Sequence, residues 1–323
     1  MNRAKGVTGA TVFGLLLAGA GIPARAADEP EVAYTLTADK GGSVASARFS
    51  ADGKKVFTLG DKPAIGVWDA KTGKEIRSVE LPGVRSVVAL SGNGGRAVAY
   101  GEGSAVLVWD VATGKQLAEL KGGPKEQLAV RHFSQDGERV VTTSEGKTAK
   151  VWEARTGKPL GSFTGHKGPV ASAEFNADGA RVATGSYFGE IKVWDAESGK
   201  ELLDLAGMST SNNPTMFSAD GKFIVSPRFD TPAVWAAKDG KLVQEFKGHK
   251  GWCRTARLDA PGEHIVTAGQ DKTARVWDVK TGETLHTLKH EDEVGFAEFS
   301  PDGSRVLTVS GGKVRVWQLP KAK

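Results

Sequence analysis

The 323-residue chain has an ordinary composition for a globular protein, with 25% charged residues and a mean hydropathy of -0.28. Its formal net charge is +5, and because Arg3, Lys5 and Arg25 supply three of these charges with no nearby acids, 5 − 3 leaves +2 for residues 27–323. This weak charge does not indicate nucleic-acid binding, and the single cysteine, Cys253, excludes an intramolecular disulfide and any site built from several cysteines.

The first 26 residues have the three-part composition of a secretory signal peptide. Arg3 and Lys5 precede an apolar, glycine-rich run over residues 7–22, and a small-residue Ala-Arg-Ala motif ends at Ala26. We therefore predict cleavage after Ala26 and a secreted or periplasmic location. Because the run is short and broken by glycines, we expect no stable membrane span after cleavage.

Residues 32–318 consist of seven copies of one unit. Each copy ends its third predicted strand on a tryptophan, and successive tryptophans lie 41, 43, 42, 41, 42 and 40 residues apart. A period of this length is typical of the blades of a β-propeller. The repeated tryptophans are Trp68, Trp109, Trp152, Trp194, Trp235, Trp277 and Trp317.

Two glycine-containing turns divide each copy into four strands. A pair such as Asp178-Gly179 follows the first strand, and a pair such as Gly157-Lys158 follows the third. Glycine permits the positive φ that tight hairpin turns require. The Gly-Lys pairs lack the glycine five residues earlier that a phosphate-binding loop needs, so we interpret them as turns.

The start of the repeat region predicts how the chain closes. Residues 33–37 form a lone predicted strand that matches the outer strands at 160–164 and 243–247, whereas the last copy stops just after Trp317, before such a strand can form. We therefore expect the N-terminal strand to complete the last unit and to close a ring, which removes exposed sheet edges.

The fullest copy runs from Gly248 to Asp278 and holds a Gly-His pair, two apolar runs, a Pro-Gly turn and a closing Trp-Asp. Together with the period, this pattern resembles the WD40-repeat family. The resemblance covers residues 32–318 and implies an all-β fold. The expected architecture is a single seven-bladed β-propeller of four-stranded antiparallel blades, with the ring closed by the N-terminal strand.

The resemblance also implies a buried polar set in each blade. In WD40 blades a His, a Ser or Thr, an Asp and the Trp form hydrogen bonds, because a buried Trp N–H needs a partner. Only the sixth copy carries the whole set by sequence position, as His249, Thr267, Asp271 and Trp277.

The other copies depart from this set. Copy four has Phe188 at the Asp position, and copy seven has Gly311 there. Copy five has lost most of the set and has Pro227 and Pro232 beside its turn, so we expect it to be the least regular blade. Cys253 stands where other copies have valine, and we interpret it as a buried thiol.

No sequence feature indicates catalysis. His286 and His290 are four residues apart, but we interpret His290 as the structural histidine of its copy and place His286 in an outer strand, and no G-x-S-x-G motif occurs. The repeated first-strand positions predict no ring of carboxylates and histidines around the propeller axis. We therefore expect no enzyme activity, no metal and no cofactor.

In WD40 proteins, partners commonly bind the rim formed by the loop before the first strand and the loop between the second and third strands. Carried over to copies four to six, these positions hold a basic and aromatic set, and aromatic and arginine side chains are favoured anchors of interfaces. The set is Lys167, Tyr187, Arg228, Lys250, Trp252 and Gln270. Copies one to three carry Asp61, Glu102 and Glu145 there, which predicts an acidic opposite side.

These features predict a non-catalytic scaffold outside the cytoplasm that binds a protein or peptide and acts as a monomer. Two alternatives remain open from the residues. One is a propeller hydrolase or lactonase with a metal in the central channel. The other is a glycan-binding propeller in which Trp252 and Tyr187 stack on sugars.

Overall fold

The computed structural model describes residues 29–37, 42–123, 127–144, 146–205, 215–218, 220–227 and 229–320. The predicted signal peptide (residues 1–26), Glu145 and Arg228 lie outside these residues. In the described residues, the strands pair antiparallel into seven sheets of four strands each. One short 3-10 turn, Glu102–Ser104, interrupts this pattern. The prediction of an all-β, seven-bladed propeller is confirmed.

The strands follow each other along the chain from the channel outward in every blade, except that the first strand joins the last blade. In chain order they are β1 (Glu31–Thr37) of blade 7; β2 (Val44–Phe49), β3 (Lys55–Gly60), β4 (Ala64–Asp69) and β5 (Glu75–Glu80) of blade 1; β6 (Ser86–Leu90), β7 (Arg96–Tyr100), β8 (Val106–Asp110) and β9 (Lys115–Leu120) of blade 2; and β10 (Leu128–Phe133), β11 (Arg139–Ser144), β12 (Thr148–Glu153) and β13 (Pro159–Thr164) of blade 3.

Blades 4 to 7 continue the same order. Their strands are β14 (Val170–Phe175), β15 (Arg181–Ser186), β16 (Ile191–Asp195) and β17 (Glu201–Asp204) of blade 4; β18 (Met216–Phe217), β19 (Phe223–Ser226), β20 (Ala233–Ala236) and β21 (Leu242–Glu245) of blade 5; β22 (Cys253–Leu258), β23 (His264–Gly269), β24 (Thr273–Asp278) and β25 (Thr284–Lys289) of blade 6; and β26 (Val294–Phe299), β27 (Arg305–Ser310) and β28 (Lys313–Gln318) of blade 7.

The ring closes through β1, as predicted. β1 runs antiparallel to β28, with Glu31 opposite Gln318 and Thr37 opposite Lys313. Leu36 on β1 is buried in an apolar cluster shared by blades 7 and 1, and the Tyr34 hydroxyl donates a 2.7 Å hydrogen bond to the Ala70 carbonyl. The N-terminal strand therefore completes one blade and also fastens it to the next.

The hydrophobic core lies between the blades. One cluster combines Val225 and Val234 of blade 5 with Ile265 and Trp277 of blade 6. Second strands are covered on both faces by neighbouring blades, so β11 buries four consecutive residues, whereas the outer strand β5 is almost entirely exposed. This sandwiching explains why the second strands are continuous apolar, β-branched runs rather than alternating ones.

Two kinds of connection define the two faces of the propeller. The loop face is formed by the loops that precede each first strand and those that join the second and third strands. The turn face is formed by the tight turns that join first and second strands. In the turn of blade 3, Gly137 has a φ of +75°, and an added Cβ would lie 2.8 Å from the Cβ of Ser91 in the neighbouring blade. Glycine is required there by both conformation and space.

Blade 5 is the least regular blade, as predicted. Its first strand, β18, has two residues, and its other three strands have four each. Pro232 has no backbone N–H to donate to the ladder. Val225 occupies the position of the buried threonine that other blades use to bind tryptophan. Blade 5 therefore cannot form the Trp–Thr hydrogen bond that blades 1, 3, 4, 6 and 7 have.

Candidate binding face and buried polar networks

The predicted four-residue network of blade 6 forms a continuous chain of hydrogen bonds. Trp277 Nε1 donates to Thr267 Oγ1 at 2.9 Å, and Thr267 Oγ1 lies 2.6 Å from His249 Nε2. His249 Nδ1 lies 3.0 Å from each carboxylate oxygen of Asp271. Because these groups are buried, each needs its partner, and the network connects β22's leading loop to β23 and β24.

The network assigns one neutral tautomer to His249. Nδ1 donates to Asp271, so Nε2 is free to accept from the Thr267 hydroxyl, whose oxygen accepts from Trp277. Burial lowers the pKa of His249, although Asp271 opposes the shift. Burial alone would raise the pKa of Asp271, but hydrogen bonds from Lys250 N, Thr273 and His249 lower it. The resting state is therefore a neutral imidazole beside a carboxylate.

Blade 4 also has a complete network, which corrects the prediction that only copy six does. Phe188, at the sequence position of the Asp, is 72% exposed. Glu190, two residues later, lies 3.3 Å from His166 Nδ1 and accepts from Lys167 N at 2.8 Å. His166 Nε2 lies 2.6 Å from Thr184 Oγ1, which accepts from Trp194 Nε1 at 2.7 Å. The longer glutamate side chain reaches the same point in space.

Blade 7 keeps only part of the network, as its Gly311 predicts. Trp317 Nε1 donates to Thr308 Oγ1 at 2.9 Å. His290 Nδ1, however, accepts from Arg315 Nη1 at 2.8 Å, and His290 Nε2 has no hydrogen-bond partner. Burial, with the positive charge of Arg315, lowers the pKa of His290 to about 4. A cation has replaced the carboxylate beside this histidine.

The structure places Lys167, Tyr187, Lys250, Trp252 and Gln270 on the loop face. Four of these side chains are exposed, and Gln270 is half-buried. Lys167 and Lys250 each follow a network histidine, and their backbone N–H groups bond Glu190 and Asp271. The networks therefore fix the loops that present these two lysine side chains to solvent.

Trp252 and Gln270 lie together at the edge between blades 5 and 6. Gln270 N donates to the Trp252 carbonyl at 2.9 Å. The Trp252 ring packs on Phe229 of blade 5, with centroids 4.7 Å apart, yet Trp252 and Phe229 remain 39% and 45% exposed. The sequence-based prediction did not include Phe229, although Phe229 directly follows Arg228 in the sequence.

Tyr187 lies beside a different feature, a cavity of about 740 Å3 at the loop-face mouth of the channel. Blades 2 to 4 line this cavity, which also contains Tyr100, Arg85 and Arg131. Burial lowers the pKa of Arg131, whose Nε donates to Thr143 Oγ1 at 2.8 Å. Blades 2 and 3 therefore present two guanidinium groups where the sequence predicted an acidic side. The Asp61 carboxylate of blade 1 accepts a hydrogen bond from Ser43 N at 3.1 Å.

Titratable side chains do converge on the propeller axis, contrary to the sequence-based expectation. Five of the seven residues that stand one position before the end of a first strand are charged or ionisable, and these five line one cavity. The seven residues of this channel ring are Arg48, Ala89, His132, Glu174, Met216, Arg257 and Glu298. Burial raises the pKa of Glu298 and lowers the pKa of His132.

In the part of the chain that the structure describes, no three His, Cys, Asp or Glu side chains are placed to hold a metal ion together. No helix in those ranges is long and apolar enough to cross a membrane. Cys253 is buried, as predicted, and burial raises the pKa of its thiol.

Two family models match the chain. Residues 157–195, 240–278 and 282–318 match the WD domain, G-beta repeat, and residues 25–149 match Outer membrane protein assembly factor BamB. Each WD match begins beside the outer strand of one blade and ends with the third strand of the next. The three matched segments contain the tryptophans of blades 4, 6 and 7, which are the blades that keep the network histidine.

Curated relatives match parts of the chain. Eukaryotic translation initiation factor 3 subunit I of Pyricularia oryzae is 39% identical over 24% of this chain and 23% of its own length. Small ribosomal subunit protein RACK1 of Drosophila melanogaster is 32% identical over 30% of each chain. Serine-threonine kinase receptor-associated protein of Dictyostelium discoideum is 32% identical over 31% of this chain and 34% of its own. The matches thus span about a quarter to a third of the length of these relatives.

Proposed function

Because the chain is a seven-bladed propeller that carries WD40 repeats at three positions, we propose that it is a non-catalytic scaffold that binds a protein or peptide partner on its loop face. A propeller alone does not define a function, since the same fold carries unrelated activities. The proposal therefore depends on the surface. Two relatives are named as a subunit of an initiation factor and as a ribosomal subunit protein, and these names support an interaction role.

The main support for a partner-binding face is a set of exposed aromatic rings on the loop face of blades 4 to 6. Tyr187, Phe188, Phe229 and Trp252 are 49%, 72%, 45% and 39% exposed. Large aromatic side chains gain most from burial at an interface, and they dominate binding energy where they are anchored by neighbours. Trp252 and Phe229 hold each other in place before any partner binds, which reduces the entropy cost of binding.

A binding experiment with matched variants tests this proposal. The full chain, Trp252→Ala and Leu285→Ala would be used to capture proteins from an envelope extract, and each captured protein would then be purified and titrated against all three forms. Leu285 is the control because it is on blade 6 and is 44% exposed, but it lies on the outer strand. We expect Trp252→Ala to weaken binding about tenfold or more and Leu285→Ala to leave it unchanged.

The outcomes separate the open alternatives. Equal binding of the purified partner by wild type and Trp252→Ala contradicts the proposed face. Saturable binding to a panel of sugars, lost in Trp252→Ala, identifies a glycan-binding propeller instead. Hydrolysis of ester or lactone substrates that depends on an added metal and is retained in Trp252→Ala identifies an enzyme.

We also propose that this scaffold works outside the cytoplasm. The support is the signal-like composition of residues 1–26 and the similarity of residues 25–149 to a family named for outer membrane assembly. Fractionation of producing cells and N-terminal sequencing test this. The expected result is a protein that begins at Ala27 in the periplasmic or secreted fraction. A cytoplasmic protein that retains residues 1–26 contradicts it.

A further inference from the structure

The channel ring forms the wall of a chamber inside the propeller. The chamber has a volume of about 380 Å3 and is lined by Arg48, His132, Glu174, Arg257 and Glu298. Its lining extends to Asn176 in the turn that follows β14, so it lies toward the turn face. A volume of this size is within the range of small-molecule sites in proteins.

Part of the charged wall has a structural role. Arg48 Nη1 of blade 1 donates to the Leu90 carbonyl of blade 2 at 2.8 Å. Glu298 Oε1 of blade 7 accepts from Phe49 N of blade 1 at 2.6 Å. These bonds connect neighbouring blades, and they account for one donor of Arg48 and one acceptor oxygen of Glu298.

Two other polar atoms of the chamber wall do not connect neighbouring blades in this way. The Nε groups of Arg48 and Arg257 are buried and have no hydrogen-bond partner. In the described ranges, neither guanidinium forms an ion pair with Glu174 or Glu298 within 4.0 Å, and Arg257 instead lies 5.1 Å from the centroid of the Phe296 ring. Buried donors without acceptors are costly. An oxyanion placed between them would satisfy both.

The two carboxylates restrict what else the ligand must carry. Glu174 and Glu298 are 9% and 8% exposed, and Glu174 lies 4.0 Å from His132 Nε2, the nearest ionic partner it has in the described residues. These carboxylates would repel a purely anionic molecule but accept hydrogen bonds from hydroxyl or ammonium groups. The arrangement of two donors and two acceptors in one chamber is complementary to a molecule with both kinds of group.

We propose that this chamber binds a small molecule that carries one carboxylate or phosphate group together with hydroxyl or amino groups. Arg48 and Arg257 bind the oxyanion, and Glu174 and Glu298 accept from the hydroxyl or amino donors. The site is separate from the loop-face surface and does not depend on the scaffold function.

Calorimetric titration of the full chain tests the site. The probes are inorganic phosphate, L-malate and L-glutamate, which separate phosphate, hydroxy acid and amino acid chemistry. We expect saturable binding of at least one probe, weakened about tenfold or more by Arg257→Gln, because a guanidinium–oxyanion contact is charge-assisted. Arg254→Gln is the matched control, since Arg254 is on the same strand, outside the chamber and paired with Glu293 at 3.3 Å. Arg254→Gln and Trp252→Ala should bind like wild type.

A second variant distinguishes a specific loss of binding from a loss of folding. Glu174→Gln removes a negative charge from the chamber, so it should bind inorganic phosphate more tightly than wild type does, a gain that a damaged fold cannot produce. No saturable binding of any probe by wild type overturns the proposal. Equal affinities of wild type, Arg257→Gln and Glu174→Gln for the bound probe also overturn it.

Discussion

Blade 6 and blade 2 bury the same tryptophan in different chemical settings. Trp277 of blade 6 donates its indole N–H to Thr267, and the network continues to His249 and Asp271. Trp109 of blade 2 is 6% exposed, and its Nε1 has no partner, because Ala99 stands at the threonine position.

Hydrophobic packing and the hydrogen-bond network have different roles in a blade. Blade 2 forms four paired strands without the network, because Trp109 still packs in an apolar cluster with residues such as Leu59 and Val87 of blades 1 and 2. In blade 6 the same core is present, and the network also ties the loop before β22 to β23 and β24. Hydrophobic contact therefore suffices for the sheet, while the network stabilises the loop face.

The largest expected effect is in Thr267→Val, which leaves both the Trp277 N–H and His249 Nε2 without a partner while keeping the side-chain volume. We expect the free energy of unfolding to fall by about 3 kcal/mol, since each unsatisfied buried group costs about 1–3 kcal/mol. Thr308→Val in blade 7 is the matched variant. It deprives only the Trp317 N–H and should cost about half as much. Urea denaturation measures both, and equal losses would mean that His249 gains nothing from Thr267.

The next effect is in Asp271→Ala, which removes the acceptor of His249 Nδ1 and of Lys250 N. We expect a loss of roughly 1–3 kcal/mol in the free energy of unfolding. Asp278→Ala serves as the control because the half-buried Asp278 side chain lies outside the network and accepts a hydrogen bond from Thr281 N in the turn that follows β24. A melting temperature of Asp271→Ala that equals that of wild type would show that the blade 6 network does not stabilise the fold.

Blade 7 predicts a dependence of stability on pH. The pKa of His290 is lowered to about 4 in the folded protein, from about 6.5 in an unfolded chain. The unfolded state therefore binds more protons below pH 6.5, so this residue's contribution to stability is present above pH 6.5 and is lost as the pH falls towards 4. Between pH 7 and pH 5 we expect wild type to lose about 1–2 kcal/mol more than His290→Gln does.

His264 supplies a control of opposite sign. A hydrogen bond to Asp259 raises the pKa of His264, so its stabilisation is present below pH 6.5 and is lost as the pH rises above its folded pKa. His264→Gln should therefore be most destabilised, relative to wild type, at low pH. Denaturation curves at pH 5 and pH 7 for both variants measure this, and parallel behaviour of the two would exclude the assigned directions.

The fold could be predicted from sequence because its signals are local and repeated. The tryptophan spacing, the turn glycines and the lone strand at residues 33–37 each appear within one unit, and the missing final strand after Trp317 indicates the closure. The irregularity of blade 5 was predictable for the same reason, since Pro232 and the missing threonine are both visible within that single copy.

The sites were less predictable because they depend on positions in space. Glu190 was missed since it lies two residues beyond the expected position, and its longer side chain reaches His166. Arg48, His132 and Arg257 each stand one residue before the end of a first strand. This shared position was visible in the sequence. Their convergence becomes visible only when the ring brings distant strands together. The pairing of Trp252 with Phe229 across two blades has no sequence signal.

The smallest expected effect comes from a substitution that gives the Trp109 N–H of blade 2 a hydrogen-bond acceptor. Ala99→Ser places an acceptor where Thr58 and Thr142 bind tryptophan N–H groups at 2.9 Å and 2.8 Å in blades 1 and 3. A serine adds one oxygen beside Trp109 Nε1 and should raise the free energy of unfolding by about 0.5–1 kcal/mol, the net gain of a single hydrogen bond. Ala99→Val is the control, because it adds volume at the same buried position without an acceptor and should destabilise the protein. If serine and valine lower the stability equally, close packing around residue 99 outweighs the unsatisfied N–H, and blade 2 has repacked around its lone tryptophan.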